Sequence, residues 1–450
     1  MQSAVAAAIK AGNHWRDLSS ETRSELLDAA AQILTQQRDE LSAWQILEAG
    51  KPWAEADADV CEAIDHIRYA AFQARRLFKA GNIGKGGESN AWTYHGVGPA
   101  AIIAPWNFPL AIVSGMAAAA LAAGNPVVIK PAPQTPVSAY WLVQALQKAG
   151  LPAGTVGFLP GGDEIGRALV AHPDVALIAF TGSEAAGRQI IAAAMTDTPG
   201  RRHFKRVIAE MGGKNAIIVD DDADLDTSIA DIVASAFSYA GQKCSACSRL
   251  IVLPAVYDQL LEKIIDAVGS LRIGDAADPS TYVGPVIDRA ARDRINTAVE
   301  LARLEARLIY QAPLPRELPG YYVAPGIFTD VKPDGMLAQE EVFGPILAVF
   351  RAESVEHAVE LANNSRYGLT GGIMSRNPRT IEFVRQRMEV GNLYVNRRIT
   401  GAVVGRQPFG GIKSSGLGSK AGGPDYLLQF VQAQVVTENT IRHGFVPPET

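Results

Sequence analysis

The stretch 100–130, AAIIAPWNFPLAIVSGMAAAALAAGNPVVIK, decides the fold. Its two ends, AAIIA at Ala100–Ala104 and PVVIK at Pro126–Lys130, are short apolar runs, with a helical pattern between them near Val113–Ala123. Strands covered by helices on both faces have no polar side, so they read as continuous apolar runs alternating with helices. The alternation continues through a helix near Val137–Ala149, VGFL at Val156–Leu159, a helix near Ile165–Ala171 and ALIAF at Ala176–Phe180. A second alternating region opens around Met211, with AIIV (216–219), RLIV (249–252) and ILAVF (346–350) as its strands. On the N-terminal side, Trp15, Leu18, Leu26, Leu27, Ala30, Ile33 and Leu34 recur at helical spacing, with Ser20 and Glu21 as start signals. A further amphipathic helix is predicted from Ala54 to Phe78. The pattern predicts an α/β fold of two doubly wound domains. Asn90–Gly98 and Phe430–Thr437 have strand composition but fall outside the alternating units. They pair with each other, reach across a subunit boundary, or form edge strands of the main sheets.

The chain has 450 residues, enough for two or three domains and a large core. Lys and Arg total 42 against 47 Asp and Glu, a net charge of −5, so no basic excess draws it to phosphate backbones. Gly at 42 and Pro at 26 exclude collagen-like and disordered classes. Between Ala91 and Ile129 there is no Asp, Glu, Lys or Arg, a run longer than the about 20 residues that cross a bilayer. Pro99, Pro105, Pro109 and Pro126 interrupt it, however, and much of its apolar content is alanine, which gains little from lipid. No charged, apolar and cleavage-site pattern opens the chain. Three cysteines, Cys61, Cys244 and Cys247, are too few for a disulfide framework and point to a reducing compartment. A soluble cytoplasmic protein without nucleic-acid or membrane partners is expected.

Chemistry centres on Cys244, in GQKCSACSR (241–249). Small neighbours leave its thiol approachable, and Lys243 with a following turn is expected to lower its pKa toward the nucleophilic thiolate. The C-x-x-C with Cys247 also admits a redox dithiol or half of a zinc site, although no second C-x-x-C or His pair completes one. A small buried hydrophobe is the plain alternative for Cys61 and Cys247. Asn107 follows an apolar strand, where open α/β sheets place ligands; its amide can donate to an oxyanion or simply form a turn. Glu210, ending VIAE before MGGK, can activate a water or sit in a solvated turn. Gly161 and Gly162 make no G-x-G-x-x-G fingerprint.

In this order, APWNFP, VVIKPAPQTP, FTGS, AEMGGKNA, GQKCSACS, EEVFGP and GRQPFGG resemble the aldehyde dehydrogenase superfamily over nearly the whole chain. GQKCSACSRL, TGAVVGRQPFGGIKSSGLGSKAGGPDYL and VVTENTIRHGF resemble its L-glutamate γ-semialdehyde dehydrogenase branch, which performs the second oxidation of proline catabolism. The resemblance implies an atypical Rossmann cofactor domain (1–89 and 99–212), a catalytic domain (213–429) and a β oligomerisation extension (90–98 and 430–450). It implies Cys244 as nucleophile, Glu210 as base, and Asn107 with the Cys244 N–H as oxyanion donors. The cofactor cleft would comprise Trp106, Lys130, Pro133, Phe180, Thr181, Gly182, Ser183, Gly212, Glu341 and Phe343. Phe108 and Phe430 would flank the substrate's aliphatic stem, and the N–H groups of Gly422 and Gly423, beside Ser245, would anchor its carboxylate. NAD is the implied cofactor and no metal is. Many relatives carry Glu where Pro133 stands, holding the adenosine ribose hydroxyls, so NADP is admitted too; many also carry Lys where Met116 stands. Relatives usually begin earlier, and in some bacteria this branch is fused behind a proline dehydrogenase domain, so a link to such a domain is implied. At least a homodimer is expected.

Overall fold

The apolar runs build two mainly parallel sheets. The computed structural model describes residues 1–79, 81–82, 84, 87–201, 203–315 and 317–441. The first sheet has the order Gly416–Leu417, Arg206–Glu210, Leu177–Thr181, Ala100–Ile103, Val127–Lys130, Val156–Phe158. Its pairs are parallel except that Gly416–Leu417 runs antiparallel to the strand ending at Glu210. Strand order reverses at Ala100–Ile103, flanked by Val127–Lys130 and Leu177–Thr181. Loops leaving neighbouring strands diverge at such a point and open a crevice at the carboxyl ends. The second sheet has the order Arg307–Gln311, Gly326–Thr329, Ile346–Arg351, Cys247–Val252, Asn215–Val219, Thr370–Met374, Asn392–Val395.

The uncharged stretch resolves into strand, loop, helix and strand. Its alanine-rich part is the helix Ala111–Ala122, buried against the first sheet and the long helix Trp53–Leu77. Alanine side chains allow that close approach. Among the described residues no helix is long and apolar enough to cross a membrane. The N-terminal segment holds four helices: Gln2–Asp17, Ser20–Gln36, Arg38–Ala49 and Trp53–Leu77. Ser19, one residue before the expected start signal, caps the second of them by accepting the Thr22 N–H at 3.0 Å.

The two leftover strands pair with each other: Glu88–Gly96 runs antiparallel to Val431–Asn439, and Gly81–Asn82 adds to the other side. The end of the expected extension, 442–450, lies outside the described residues. The expected boundary at 429 needs correction. Gly416–Leu417 joins the first sheet, and Tyr426, Leu427 and Phe430 pack into the core around the Ala111–Ala122 helix. The chain therefore returns to the first domain before the extension begins.

Candidate active site

Cys244 stands just before the strand Cys247–Val252, at the amino edge of the second sheet, while Asn107 and Glu210 leave the carboxyl edge of the first. The approach to Cys244 is strained. Tyr239, Ala240 and Gly241 take φ of 51°, 53° and 68°, a left-handed run unfavourable for the two residues that carry a Cβ. Glycine is required at 241 because a Cβ there would lie 2.3 Å from the Gly344 carbonyl oxygen. Gln242 holds the turn: its Nε2 donates to Tyr239 O and Pro285 O, and its Oε1 accepts the Ile287 N–H at 2.8 Å. Asn215 Nδ2 donates to the carbonyls of Cys244 and Ala246, both at 2.8 Å. The Cys244 N–H has no acceptor among the described residues. Asn107 Nδ2 gives one hydrogen to the Gln242 carbonyl at 3.0 Å and keeps the other. Two uncommitted N–H groups thus flank the thiol, as an oxyanion requires.

The expected activation by Lys243 is not what the structure shows. Its ammonium turns away to Glu55 Oε1 at 2.7 Å and Ser238 Oγ at 2.9 Å. Burial, reinforced by the Glu341 and Glu210 carboxylates, instead pushes the Cys244 thiol up to about 12. The resting group is a thiol, and attack must be coupled to loss of its proton. Cys247 belongs to the second domain's core, with its S–H donating to Arg249 O at 3.4 Å, so the small-hydrophobe reading fits it best. Burial likewise raises Glu210 to about 8, opposed by the Gly411 N–H at 3.3 Å and the nearby Lys420 ammonium. A carboxylate near 8 is a far stronger base than an exposed one.

The residues expected to line a cofactor cleft come from strand ends of the first sheet and from the loop before Ile346–Arg351. Lys130 ends its strand almost fully buried, its ammonium on Pro131 O at 3.0 Å, and Asp163 and Glu164 are near enough to favour its charge. Thr181 ends the strand Leu177–Thr181, Gly182 and Ser183 follow it, and Ser183 caps the helix Glu184–Met195. A Cβ on Gly182 would strike the Phe180 ring at 2.6 Å, and one on Gly212 the Glu341 carboxylate at 2.2 Å. Glu341 accepts the Gly213 N–H at 3.0 Å, and burial lifts it to about 7. Phe343 takes a left-handed φ of 55° and meets Trp106 edge-on, ring centroids 5.5 Å apart. Pro133 is exposed beside Gln134, whose amide donates to Asp288. Met116 lies buried with its sulfur 3.7 Å from Thr181 Oγ1.

The substrate set is only partly brought together. Ser245 is buried next to the thiol, and Phe108 offers one ring face while Lys51 Nζ covers the other at 4.1 Å from the centroid. Phe430 has no exposure and packs on Tyr426 in the core. The Gly423 N–H donates to Lys420 O at 3.1 Å, while the Gly422 N–H has no acceptor among the described residues. Gly422 lines a narrow cleft with His66, Tyr69, Gly115 and Tyr426.

Three features escaped sequence reasoning. Glu62, on the helix Trp53–Leu77, adds a little to the raised Cys244 pKa, and its carboxylate lies 3.5 Å from His66 Nε2. Gly401 (φ 73°) and Ala402 carry successive N–H groups without acceptors among the described residues. Lys51, Glu55 and Asp59 recur every fourth residue, and each binds near the site. That spacing was the available signal.

The chain belongs to the aldehyde dehydrogenase family, which it matches over residues 1–436. It is 46% identical over 437 residues to the 1-pyrroline-5-carboxylate dehydrogenase of Geobacillus thermodenitrificans, covering 97% of this chain and 85% of that one. Its structure resembles the Thermus 1-pyrroline-5-carboxylate dehydrogenase with bound NAD at a TM-score of 0.95 and 42% identity, covering 97% of this chain and 85% of that one. It also resembles proline utilization A from Bdellovibrio bacteriovorus at a TM-score of 0.97 and 48% identity. All of this chain aligns there, yet it spans only 47% of that longer one.

Proposed function

We propose that the chain oxidises L-glutamate γ-semialdehyde, the open form of 1-pyrroline-5-carboxylate, to L-glutamate with NAD. The observation that carries this reading is the grouping of Cys244, its free N–H, the Asn107 amide and the raised Glu210 carboxylate, in a chain 46% identical to a 1-pyrroline-5-carboxylate dehydrogenase.

The Cys244 thiol loses its proton and attacks the aldehyde carbon, forming a C–S bond as the carbonyl electron pair moves onto oxygen. Asn107 Nδ2 and the Cys244 N–H donate to that oxyanion. NAD, when bound, supplies the acceptor for the hydride leaving this carbon, and a thioester remains on Cys244. Glu210 then takes a proton from a water that attacks the thioester carbonyl; the C–S bond breaks, glutamate leaves and the thiol is restored.

The crevice chemistry fits a dinucleotide: the Lys130 ammonium and Glu341 carboxylate suit ribose hydroxyls, and the capped helix start at Ser183 suits a pyrophosphate. Trp106, Phe180, Gly182, Gly212 and Phe343 wall that cleft. For the substrate's charged end, we assign the ammonium to Glu62 and the carboxylate to the Gly422 N–H, which has no acceptor among the described residues and lines a cleft with His66, itself 3.5 Å from Glu62. Phe108 and Ser245 complete the pocket. A thiol nucleophile requires reducing surroundings, which supports a cytoplasmic location. The likeness to proline utilization A supports a functional link to a proline dehydrogenase. The Glu88–Gly96 and Val431–Asn439 sheet, exposed along the second strand, supports a homodimer.

The test is a steady-state assay comparing glutamate γ-semialdehyde, succinate semialdehyde and propanal with NAD. A kcat/KM highest for the first supports the reading. Equal values would assign a general aldehyde dehydrogenase.

A further inference from the structure

Lys51 has no solvent exposure, an unusual setting for an ammonium. It makes two hydrogen bonds and lies over two aromatic rings. Nζ donates to Asp59 Oδ2 at 2.9 Å and to the Asn107 carbonyl at 3.0 Å, and it lies 4.1 Å and 5.1 Å from the ring centroids of Phe108 and Tyr239. Apart from Asp59, every contact is with one of the two loops that form the site. Asp59 turns its other oxygen to the Ala111 N–H at 2.7 Å. The ion pair therefore grips both ends of the turn Asn107–Ala111, its carbonyl at the start and its N–H at the end. Four residues after Lys51, Glu55 in the first turn of the helix Trp53–Leu77 binds Lys243, the residue before Cys244.

A buried ion pair is weak support for stability, since replacing both partners with apolar groups is often neutral. The contacts of this pair point to a different use. We propose that Lys51 is a positioning residue: it holds the Asn107 backbone so that the Asn107 amide meets the oxyanion. The proposal rests on the reading of Asn107 as an oxyanion donor. An oxyanion donor acts only within a narrow distance range, so a loop free to drift forfeits its effect even when the amide is intact.

The test measures the burst rate constant of NADH formation with glutamate γ-semialdehyde, together with NAD affinity by fluorescence titration. The enzymes are the wild type, Lys51→Met/Asp59→Asn, Asn107→Ala and the combination of all three changes. In the wild-type background the paired change is expected to lower the burst rate about a hundredfold, with NAD affinity held within about twofold. In the Asn107→Ala background the same pair should cost less than about threefold, because the group it positions is gone. A burst rate within threefold of wild type overturns the proposal, as does an equal loss in both backgrounds, which would mark a general structural role. Asn107→Ala with a normal burst rate overturns the reading of Asn107 itself, a distinguishable failure. Should the paired variant not fold, Lys51→Gln keeps a donor for the Asn107 carbonyl and Lys51→Met does not. Retained activity in the first alone supports the proposal, and equal losses overturn it.

Discussion

The carboxyl edge of the first sheet and the amino edge of the second face one crevice but are built differently. The first presents titratable side chains at strand ends, Lys130 and Glu210, whose surroundings shift them toward neutrality. The second presents a strained backbone, three left-handed residues held by Gln242 and followed by a loop that Asn215 holds at Cys244 and Ala246, with an unactivated thiol at its tip. One edge supplies charge and the other supplies geometry. Neither sheet carries out the chemistry alone, and each can be disabled separately.

Removing the nucleophile makes the sharpest separation. Cys244→Ala should lower dehydrogenase turnover on the order of a millionfold, as loss of a covalent nucleophile does, while NAD binding stays unchanged by titration. A parallel loss of NAD affinity would mean that the two edges are structurally inseparable.

Glu210 tests the first edge. Its base form is the carboxylate, and burial raises its pKa, so hydrolysis of the thioester is present above about pH 8 and lost as pH falls through that value. Glu210→Gln should give a burst of NADH and then turnover slowed by about 10²–10⁴-fold, with the pH step gone. A variant with normal turnover and no burst would remove Glu210 from the mechanism.

Substrate selection sharpens the comparison further, because Glu62 belongs to neither edge. Glu62→Gln should raise KM for glutamate γ-semialdehyde about tenfold or more, the worth of a charge-assisted hydrogen bond, and leave kcat/KM for propanal as it was. Equal effects on both aldehydes would return Glu62 to a structural role beside His66.

Much of the first edge was legible in the sequence, because apolar runs mark parallel strands and ligands collect at their ends. Asn107 and Glu210 could be placed that way, whereas Thr181 came only from the FTGS motif. The second edge was legible only as a motif: nothing in GQKCSACSR reveals that Lys243 would turn to Glu55, a partner nearly two hundred residues earlier. Charge proximity in sequence suggested an activated thiolate, and burial produced the reverse. Composition could not tell the Gly423 N–H, which donates to Lys420 O, from the Gly422 N–H, which has no acceptor among the described residues. Phe430, a strand-end aromatic, went into the core.

The smallest expected effect concerns the 2′ position of the adenosine ribose. The absence of an acidic residue at Pro133 led to an expectation that NADP would be used measurably, since like-charge repulsion is how such a site rejects a 2′-phosphate. Burial lowers the Lys130 pKa, but Asp163 and Glu164, in the first turn of the helix Asp163–Ala171, are near enough to favour its charge. Glu164 Oε1 already accepts the Gly162 N–H at 3.2 Å, which fixes its carboxylate in place. Two effects therefore compete: the Lys130 ammonium attracts a phosphate and the paired acids repel it. The acids are more numerous and more exposed, so NAD should lead NADP in kcat/KM by about tenfold, the equivalent of 1.4 kcal/mol. Glu164→Gln should shrink that ratio and Pro133→Glu should widen it, each by about threefold to tenfold, the worth of a partly screened charge. The check is kcat/KM for both dinucleotides at two salt concentrations. Screening weakens repulsion between exposed charges, so the ratio must fall as salt rises. A ratio that ignores both salt and Glu164→Gln would show that shape, rather than charge, sets the choice of cofactor.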